Sequence, residues 1–279
     1  MSQHRLLSSV GFPSAVACAA ALLCCTSTSS APAPTNDRGS GPATSLDSGV
    51  VVGDAARDSE ADAYPDLTVL PQNPTLAVVQ GGASSSLAFE AVENGALPIP
   101  VAWSFNGGTA VTAPCGAIDA TSGVFVASGT VGGKLTVVAT SLPIQARTQL
   151  TVQLHITENP DAVSAADLAL LENPDAGSGP PFGFSTVGNG MTFMAGTAPP
   201  TLTFSGDPAD AVLIRISFAT LSYQGVFGAA DGGELSLPAS SWASITGSAT
   251  ESETAQVSVT KLSKGVVSGP STATWTFLP

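Results

Sequence analysis

From residue 66 onward the apolar positions come in short runs that alternate with Ser, Thr or charged residues and stop at Gly, Pro, Asn or Asp about every ten residues. The runs "LTVLP", "LAFEAV", "PVAWSF", "GVFVAS", "KLTVVATS" and "QLTVQLHI" read as strands, as do "VLIRIS", "QVSVTKL" and "ATWTFL" nearer the end. β-Branched residues in alternation suit a pleated surface with one face buried. Helical periodicity is scarce. The pattern predicts an all-β fold of two antiparallel β-sandwich domains, residues 66–156 and 180–279, joined by a connector over 157–179.

The first 24 residues follow a different pattern. His4 and Arg5 precede an apolar segment from Leu6 to Leu23, broken by Ser8, Ser9, Pro13 and Ser14. A basic start, an apolar stretch and small residues form the layout of a secretory signal, and the interruptions argue against a membrane-spanning helix. Cys24 and Cys25 close the segment, and adjacent cysteines rarely pair with each other; only Cys18 and Cys115 remain, which argues against a disulfide framework. "Leu22-Leu23-Cys24-Cys25" resembles a bacterial lipobox, which implies that Cys25 carries the acyl chains and becomes the mature N-terminus. Cys24 departs from the Gly or Ala usual before the cleavage point. "Ala15-Val16-Ala17-Cys18" is a second fit with a shorter apolar run, and an ordinary secretory signal with incidental cysteines is the plainer alternative. Either way the chain is expected to be exported: lipid-anchored at the outer membrane or cell surface, or periplasmic or extracellular if not lipidated.

Residues 25–65 turn to Ser, Thr, Ala, Gly, Pro and Asp, with Val50-Val51-Val52 as the one apolar cluster. Such a composition buries too little to offset its ordering entropy and predicts a disordered acidic tether. A flexible coil of that length has an average reach of roughly 35 Å and a stretched limit of about 130 Å. "Asp58-Ser-Glu60-Ala-Asp62" has the opening of a calcium loop but lacks its glycine at position six, and Val69 stands where the closing glutamate would be.

Within 66–156, "LTVLPQNPTLAVVQGG", "VAWSF", "GAIDATSGVFVASGTVGGKLTVVATS" and "TQLTVQL" follow one another in an order that resembles the bacterial immunoglobulin-like domains of intimin- and invasin-type adhesins. The resemblance implies that Trp103 is the structural core tryptophan of a central strand. It also implies that "Asp119-Ala-Thr-Ser-Gly123" is the recurring turn and "Gly132-Gly133-Lys134" a tight turn before the next strand. Cys115, behind Pro114, is read as a small buried hydrophobe. The second segment resembles a fibronectin type III or immunoglobulin sandwich. Its run from "GDPADAVLIRIS" to "STATWTF" also resembles a segment of large exported bacterial lipoproteins that stands before further domains such as a propeller, and the chain is expected to be the two-domain front end of that arrangement.

The connector repeats Glu-Asn-Pro-Asp-Ala at 158–162 and 172–176, and its five carboxylates (Glu158, Asp161, Asp167, Glu172, Asp175) raise a calcium reading. Ser164 and Asp167 have capping-box spacing ahead of "LALL", which predicts a short helix of about two turns between two proline turns and accounts for the acids better.

Catalytic chemistry finds little support. His155 is the one histidine left after signal removal, no G-x-S-x-G elbow, phosphate loop or dinucleotide fingerprint occurs, and His/Cys metal sites lack ligands. No cofactor and no metal are expected. Asp207, Asp210, Asp231 and Glu234 are carboxylates that a glycosidase would need paired, though their placement reads as turns. Removing residues 1–24 takes away Arg5 and no acid, leaving 7 basic residues against 21 acidic ones and a net charge of −14, which disfavours nucleic acid and anionic lipid headgroups as partners. The leading expectation is a surface-anchored, non-enzymatic lipoprotein acting as an interaction, adhesion or spacer module, with a cell-surface or matrix protein or glycan as partner and the membrane engaged through the lipid. The alternative is a carbohydrate-binding module in which Tyr223 and Trp242, with Phe182, Phe184 and Phe227, supply glycan-stacking faces; a hydrolase fragment is the third reading.

Overall fold

One strand organises the fold. Residues Ile144–Glu158 run through fifteen positions with near-strict alternation, turning Ala146, Thr148, Leu150, Val152, Leu154 and Ile156 to the interior. The computed structural model describes residues 66–95, 97–173, 179–184, 186–228 and 234–279, all in one compact unit. The signal segment, the tether with Cys25, and Asp175 and Asp231 lie outside the described residues.

Before that strand come β1 (Leu67–Leu70), β2 (Thr75–Val79), β3 (Ser86–Ala88), β4 (Glu90–Glu93), β5 (Leu97–Pro98), β6 (Ala102–Phe105), β7 (Thr112–Ala113), β8 (Gly116–Ile118), β9 (Val124–Ala127) and β10 (Gly133–Ser141). Ile144–Glu158 is β11. After it come α1 (Ala165–Glu172), β12 (Met191–Met194), β13 (Thr201–Thr203), β14 (Ala211–Phe218), β15 (Leu221–Gly228), β16 (Glu234–Ser236), α2 (Ala239–Gly247), β17 (Glu253–Ser263) and β18 (Val266–Leu278).

The fold is all-β with sandwich layering. In the first segment, the sheets β1-β4-β5 and β3-β9-β8-β7 share a core with the β2, β11, β10 and β6 strands. Trp103 on β6 lies 6.1 Å from Phe89 between ring centroids and is 4% exposed. In the second segment, β12-β18-β17-β14-β15 forms one broad sheet. One of its faces packs in the same core as α2 and the two-stranded β13–β16 sheet, through an aromatic cluster of Phe193, Trp242, Trp275 and Phe277. A helix and a two-stranded sheet of strands far apart in sequence thus cover this face, where the sequence pattern predicts a larger second sheet. The opposite face is covered by Leu171 of α1 against Ala211, Leu213, Val226, Leu262 and Val267. That double cover explains why β14 begins with four consecutive buried residues instead of an alternation.

Register shows how the two segments meet. β10 pairs antiparallel with β11 as far as Gly133↔Val152, and β15 takes over in parallel from Leu221↔Leu154 to Gly225↔Glu158. Meanwhile β2 pairs in parallel with Thr151–His155. Residues 151 and 152 are paired with both β10 and β2, and 154 and 155 with both β15 and β2. β10 and β15 therefore lie end to end along one edge of β11, with β2 on the other. The parallel pairings, including β12 with β18, add to the antiparallel pattern expected from the alternation.

The abutment of β10 and β15 is closed by backbone contact. A Cβ on Gly132 would lie 2.0 Å from the Thr220 carbonyl oxygen and 2.9 Å from that of Val152. Gly132 N–H donates to Ser248 Oγ (2.8 Å), Thr220 Oγ1 donates to the Ser248 carbonyl (2.7 Å), and Leu154 N–H donates to the Thr220 carbonyl (3.0 Å). The "Gly132-Gly133-Lys134" stretch is accordingly not a tight turn: neither glycine has positive φ, and the residue type is required by close approach of two strand ends. Lys134 adds an ion pair to Glu251 and another to Glu253 (3.2 Å), and Gln80 Nε2 donates to Ser244 Oγ (3.1 Å).

The "Asp119-Ala-Thr-Ser-Gly123" stretch is a closed turn. Asp119 Oδ1 accepts from Thr121 N–H, Ser122 N–H and Ser122 Oγ, and these donors, the Ser122 backbone first, hold its carboxyl below the ordinary value. The connector helix α1 starts at an N-cap: Ser164 Oγ accepts from Asp167 N–H (3.1 Å) and donates to its carboxylate (2.7 Å).

Candidate functional site

The residues singled out for glycan stacking do not form a platform. Tyr223 and Trp242 are each 1% exposed and Phe227 is buried. Trp242 is enclosed by Phe193 and Trp275, with its indole N–H donated to the Thr197 carbonyl (2.9 Å). The Tyr223 hydroxyl donates to Glu158, whose other oxygen accepts from Ser241 Oγ (2.7 Å). Burial, with the Glu158 charge, pushes the Tyr223 phenol well above its ordinary value. An alternating strand gives no sign of which face meets water, and on β15 Tyr223 took the inward one, while Trp242 lies on the buried side of α2.

The carboxylates disperse as well. Asp207 and Asp210 fasten onto the β17–β18 turn, while Glu234 stands opposite Thr203 in the β13–β16 ladder. In the connector, Asp161 accepts from Gly228 N–H (2.9 Å) and Glu172 from Gln224 Nε2 (3.0 Å), so with Glu158 and Asp167 each described acid serves a different partner. Among the described residues no three His, Cys, Asp or Glu side chains gather as a metal site would require. His155 is half-buried on β11. Cys115 is 2% exposed, and burial pushes its thiol up to about 11.

What the fold does assemble is a cavity of about 230 Å³ between the 180–182 segment, the loop 205–210 and the β17–β18 turn. Lys264 and Gly265, at φ 51° and 73°, make the two-residue turn. The loop is clasped to it: Lys264 N–H donates to Asp210 Oδ2, Ser263 Oγ to the Pro208 carbonyl (2.8 Å), and Lys264 Nζ pairs with Asp207 (3.6 Å). Pro180, Pro181, Phe182 and Val266 give the cavity its apolar wall. Phe182 is held edge-on to Phe204 at 6.1 Å, and Ser205 N–H donates to the Gly183 carbonyl (3.1 Å), which pins the wall to the loop.

Lys261 is the unexpected member. Ala255, Val257, Val259 and Lys261 share one parity on β17, and Lys261 stands opposite Val212 of the main core, so a lysine occupies an inward position. It is 4% exposed. Its ammonium donates to the carbonyls of Ser205 (3.2 Å) and Asp207 (2.8 Å) and sits 5.1 Å from the Phe182 ring centroid. Burial lowers its pKa, offset in part by the Asp207 charge. The signal in the sequence is the lysine that breaks an inward alternation, "AQVSVTK"; reading it requires knowing which parity is buried.

No protein-family model matches the chain, and no curated protein matches it. Among solved structures it overlaps extracellular domains 3–5 of Drosophila OTK at 11% identity, covering 76% of this chain and 61% of that one with a TM-score of 0.25. It overlaps the titin immunoglobulin tandem A164-A165 at 10% identity, covering 76% and 96% with a TM-score of 0.25. A tri-modular GH5 endo-β-1,4-glucanase from Bacillus licheniformis, complexed with cellotetraose, overlaps at 8% identity over 77% of this chain and 39% of that one, with a TM-score of 0.23. The chain thus spans less than two thirds of the OTK fragment.

Proposed function

We propose that the chain is a non-enzymatic, surface-anchored lipoprotein whose residues 66–279 form a stiff interaction, adhesion or spacer module, held at the membrane through Cys25 and the tether 25–65. The observation that carries this reading is the closure at Gly132, Thr220 and Ser248, which makes β11 a common strand of both segments. A module built on one shared strand transmits position and load from one segment to the other, and its loops and strand edges are presented on a fixed frame, as recognition demands. The partner would be a protein or glycan of the cell surface or matrix, not nucleic acid, since the acidic surface repels polyanions.

Glycan recognition stays a second reading on one observation: Phe182, unlike Tyr223 and Trp242, lines a cavity open to a ligand. Stacking on a pair of exposed rings is replaced by a single ring beside a cation. The test immobilises the mature chain from residue 25 and screens cell-surface and matrix proteins, glycans and envelope fractions, beside glycosidase, esterase and protease substrates. Saturable retention of one partner without turnover is the expected result. Reproducible turnover lost on changing Asp207, Asp210 or Glu234 would overturn it in favour of an enzyme.

A further inference from the structure

A buried ammonium normally faces a carboxylate, because its lost hydration is recovered only by a compensating charge or a full set of acceptors. Lys261 has two neutral carbonyls and an aromatic face, and among the described residues no carboxylate oxygen lies within 4.0 Å of its Nζ. The nearest acid of the loop, Asp207, gives its backbone carbonyl to Lys261 and its carboxylate to Lys264. An ammonium has three N–H groups; two meet carbonyl oxygens, and beside them stands the Phe182 ring and no charged acceptor among the described residues. The cavity Lys261 lines is bounded by the apolar Pro180, Pro181, Phe182 and Val266 together with Ser263 and Ser268. In a chain with 21 acidic residues and 8 basic ones, two of the basic residues meet here.

We propose that this cavity binds a carboxylate attached to a compact apolar or ring-shaped body, with the carboxylate completing the coordination of Lys261, Lys264 adding long-range attraction at the rim, and the body resting on Phe182 and the Pro180–Pro181 wall. The volume, below the usual range for drug-sized ligands, suits one ring or one residue of a longer chain. This deepens the reading of the chain as a binding module and rests on it. A carboxylate of this kind belongs to an aliphatic acid or to an acidic sugar, and the probes below separate these two sources.

The experiment titrates the full mature chain with cyclohexanecarboxylate and with galacturonate, using cyclohexylmethanol and galactose as neutral counterparts, while following the side-chain NMR signals of the lysines and calorimetric heat. Saturable shifts of the Lys261 signals by one of the acids and not by its neutral counterpart are expected; which acid wins identifies the source. Lys261→Met should weaken that binding roughly tenfold to a hundredfold, the loss of one hydrogen bond to a charged group, and Lys264→Ala should weaken it less and mainly at low salt. Should Lys261→Met fail to fold, the wild-type Lys261 signals still decide. Absence of saturable shifts with both acids, or equal binding of the neutral probes, overturns the proposal. If the acids fail while the partner screen still retains a protein or glycan, only the carboxylate site falls and the interaction reading stands.

Discussion

The ring of Trp103 occupies the space that a side chain on Gly123 would need: a Cβ there would lie 2.7 Å from both Cε2 and Nε1 of the indole and 2.8 Å from the Phe89 carbonyl oxygen. Gly123 also has φ 70°, where an L side chain is strained. The turn begun by Asp119 and the burial of Trp103 are one arrangement, because the turn delivers a bare α-carbon to the face of the core aromatic.

Trp103→Ala should therefore cost about 3–5 kcal/mol and Gly123→Ala about 1–3 kcal/mol or more. Reasoning from two separate domains, one expects the first to melt alone. The continuous core from Trp103 to Trp275 and the shared β11 predict otherwise: chemical denaturation followed by near-UV dichroism should show one cooperative transition, shifted as a whole. Two resolved transitions in Trp103→Ala would show that β11 does not couple the segments.

Gly132→Ala tests the seam directly. No φ penalty applies there, so any loss comes from pushing the Thr220 carbonyl out of its bond with Leu154 N–H. A destabilisation of about 1–3 kcal/mol or more is expected, with faster hydrogen exchange at Leu154 and at the substituted amide itself. A variant as stable as wild type would mean that β10 and β15 can part without cost.

Alkaline titration should expose two buried acids. Tyr223 and Cys115 both have folded-state pKa values raised by burial, the thiol to about 11. The unfolded chain, which loses these protons at about 8.5 for a thiol and about 10 for a phenol, then gains on the folded one as pH climbs. Their stabilisation is complete below those values and disappears as pH rises through the folded ones. In a Tyr64→Phe background, phenolate absorbance should stay silent past pH 10 until it rises together with unfolding, and Cys115 should resist alkylation at pH 8 in native protein only. A reversible phenolate signal in folded protein would contradict the burial of the ring.

Lipidation at Cys25 should be visible after expression in a bacterial host, as partitioning into detergent and an acylated N-terminal peptide in mass spectrometry. An unmodified N-terminus beyond Cys25 in the aqueous phase would remove the anchor. Acylation at Cys18 would move it.

Local chemistry made some of this architecture legible and distance hid the rest. Ser164 and Asp167 form a cap that spacing alone announces, and the Asp119 to Gly123 turn, expected from the resemblance, likewise finds its partners within four residues. Strand periodicity likewise exposes β11, whose buried residues alternate throughout. The helix α2, "ASSWASITG", was hidden by its composition: Ser, Thr and β-branched residues favour other conformations, Pro238 offers no side-chain cap, and packing of Trp242 and Ile245 in the core stabilises it. Gly132 reads as a turn because sequence shows a missing side chain without showing what fills its place, which is the Thr220 carbonyl, 88 residues away. Lys261 is illegible in the sequence for the same reason: its acceptors, Ser205 and Asp207, lie more than fifty positions upstream.

The shared strand also fixes an order of assembly. β10 and the first part of β11 are neighbours in sequence and can zip as a hairpin as soon as both have emerged, whereas Leu154 must wait for Leu221, 67 residues later. Until then Leu154–Glu158 has one edge with unsatisfied amides and carbonyls, open to pairing with another chain. Long-range pairings of this kind form slowly. Because synthesis proceeds from the N-terminus, the hazardous interval lies between the appearance of residue 158 and that of residue 225, and its length is set by how fast the intervening segment is made.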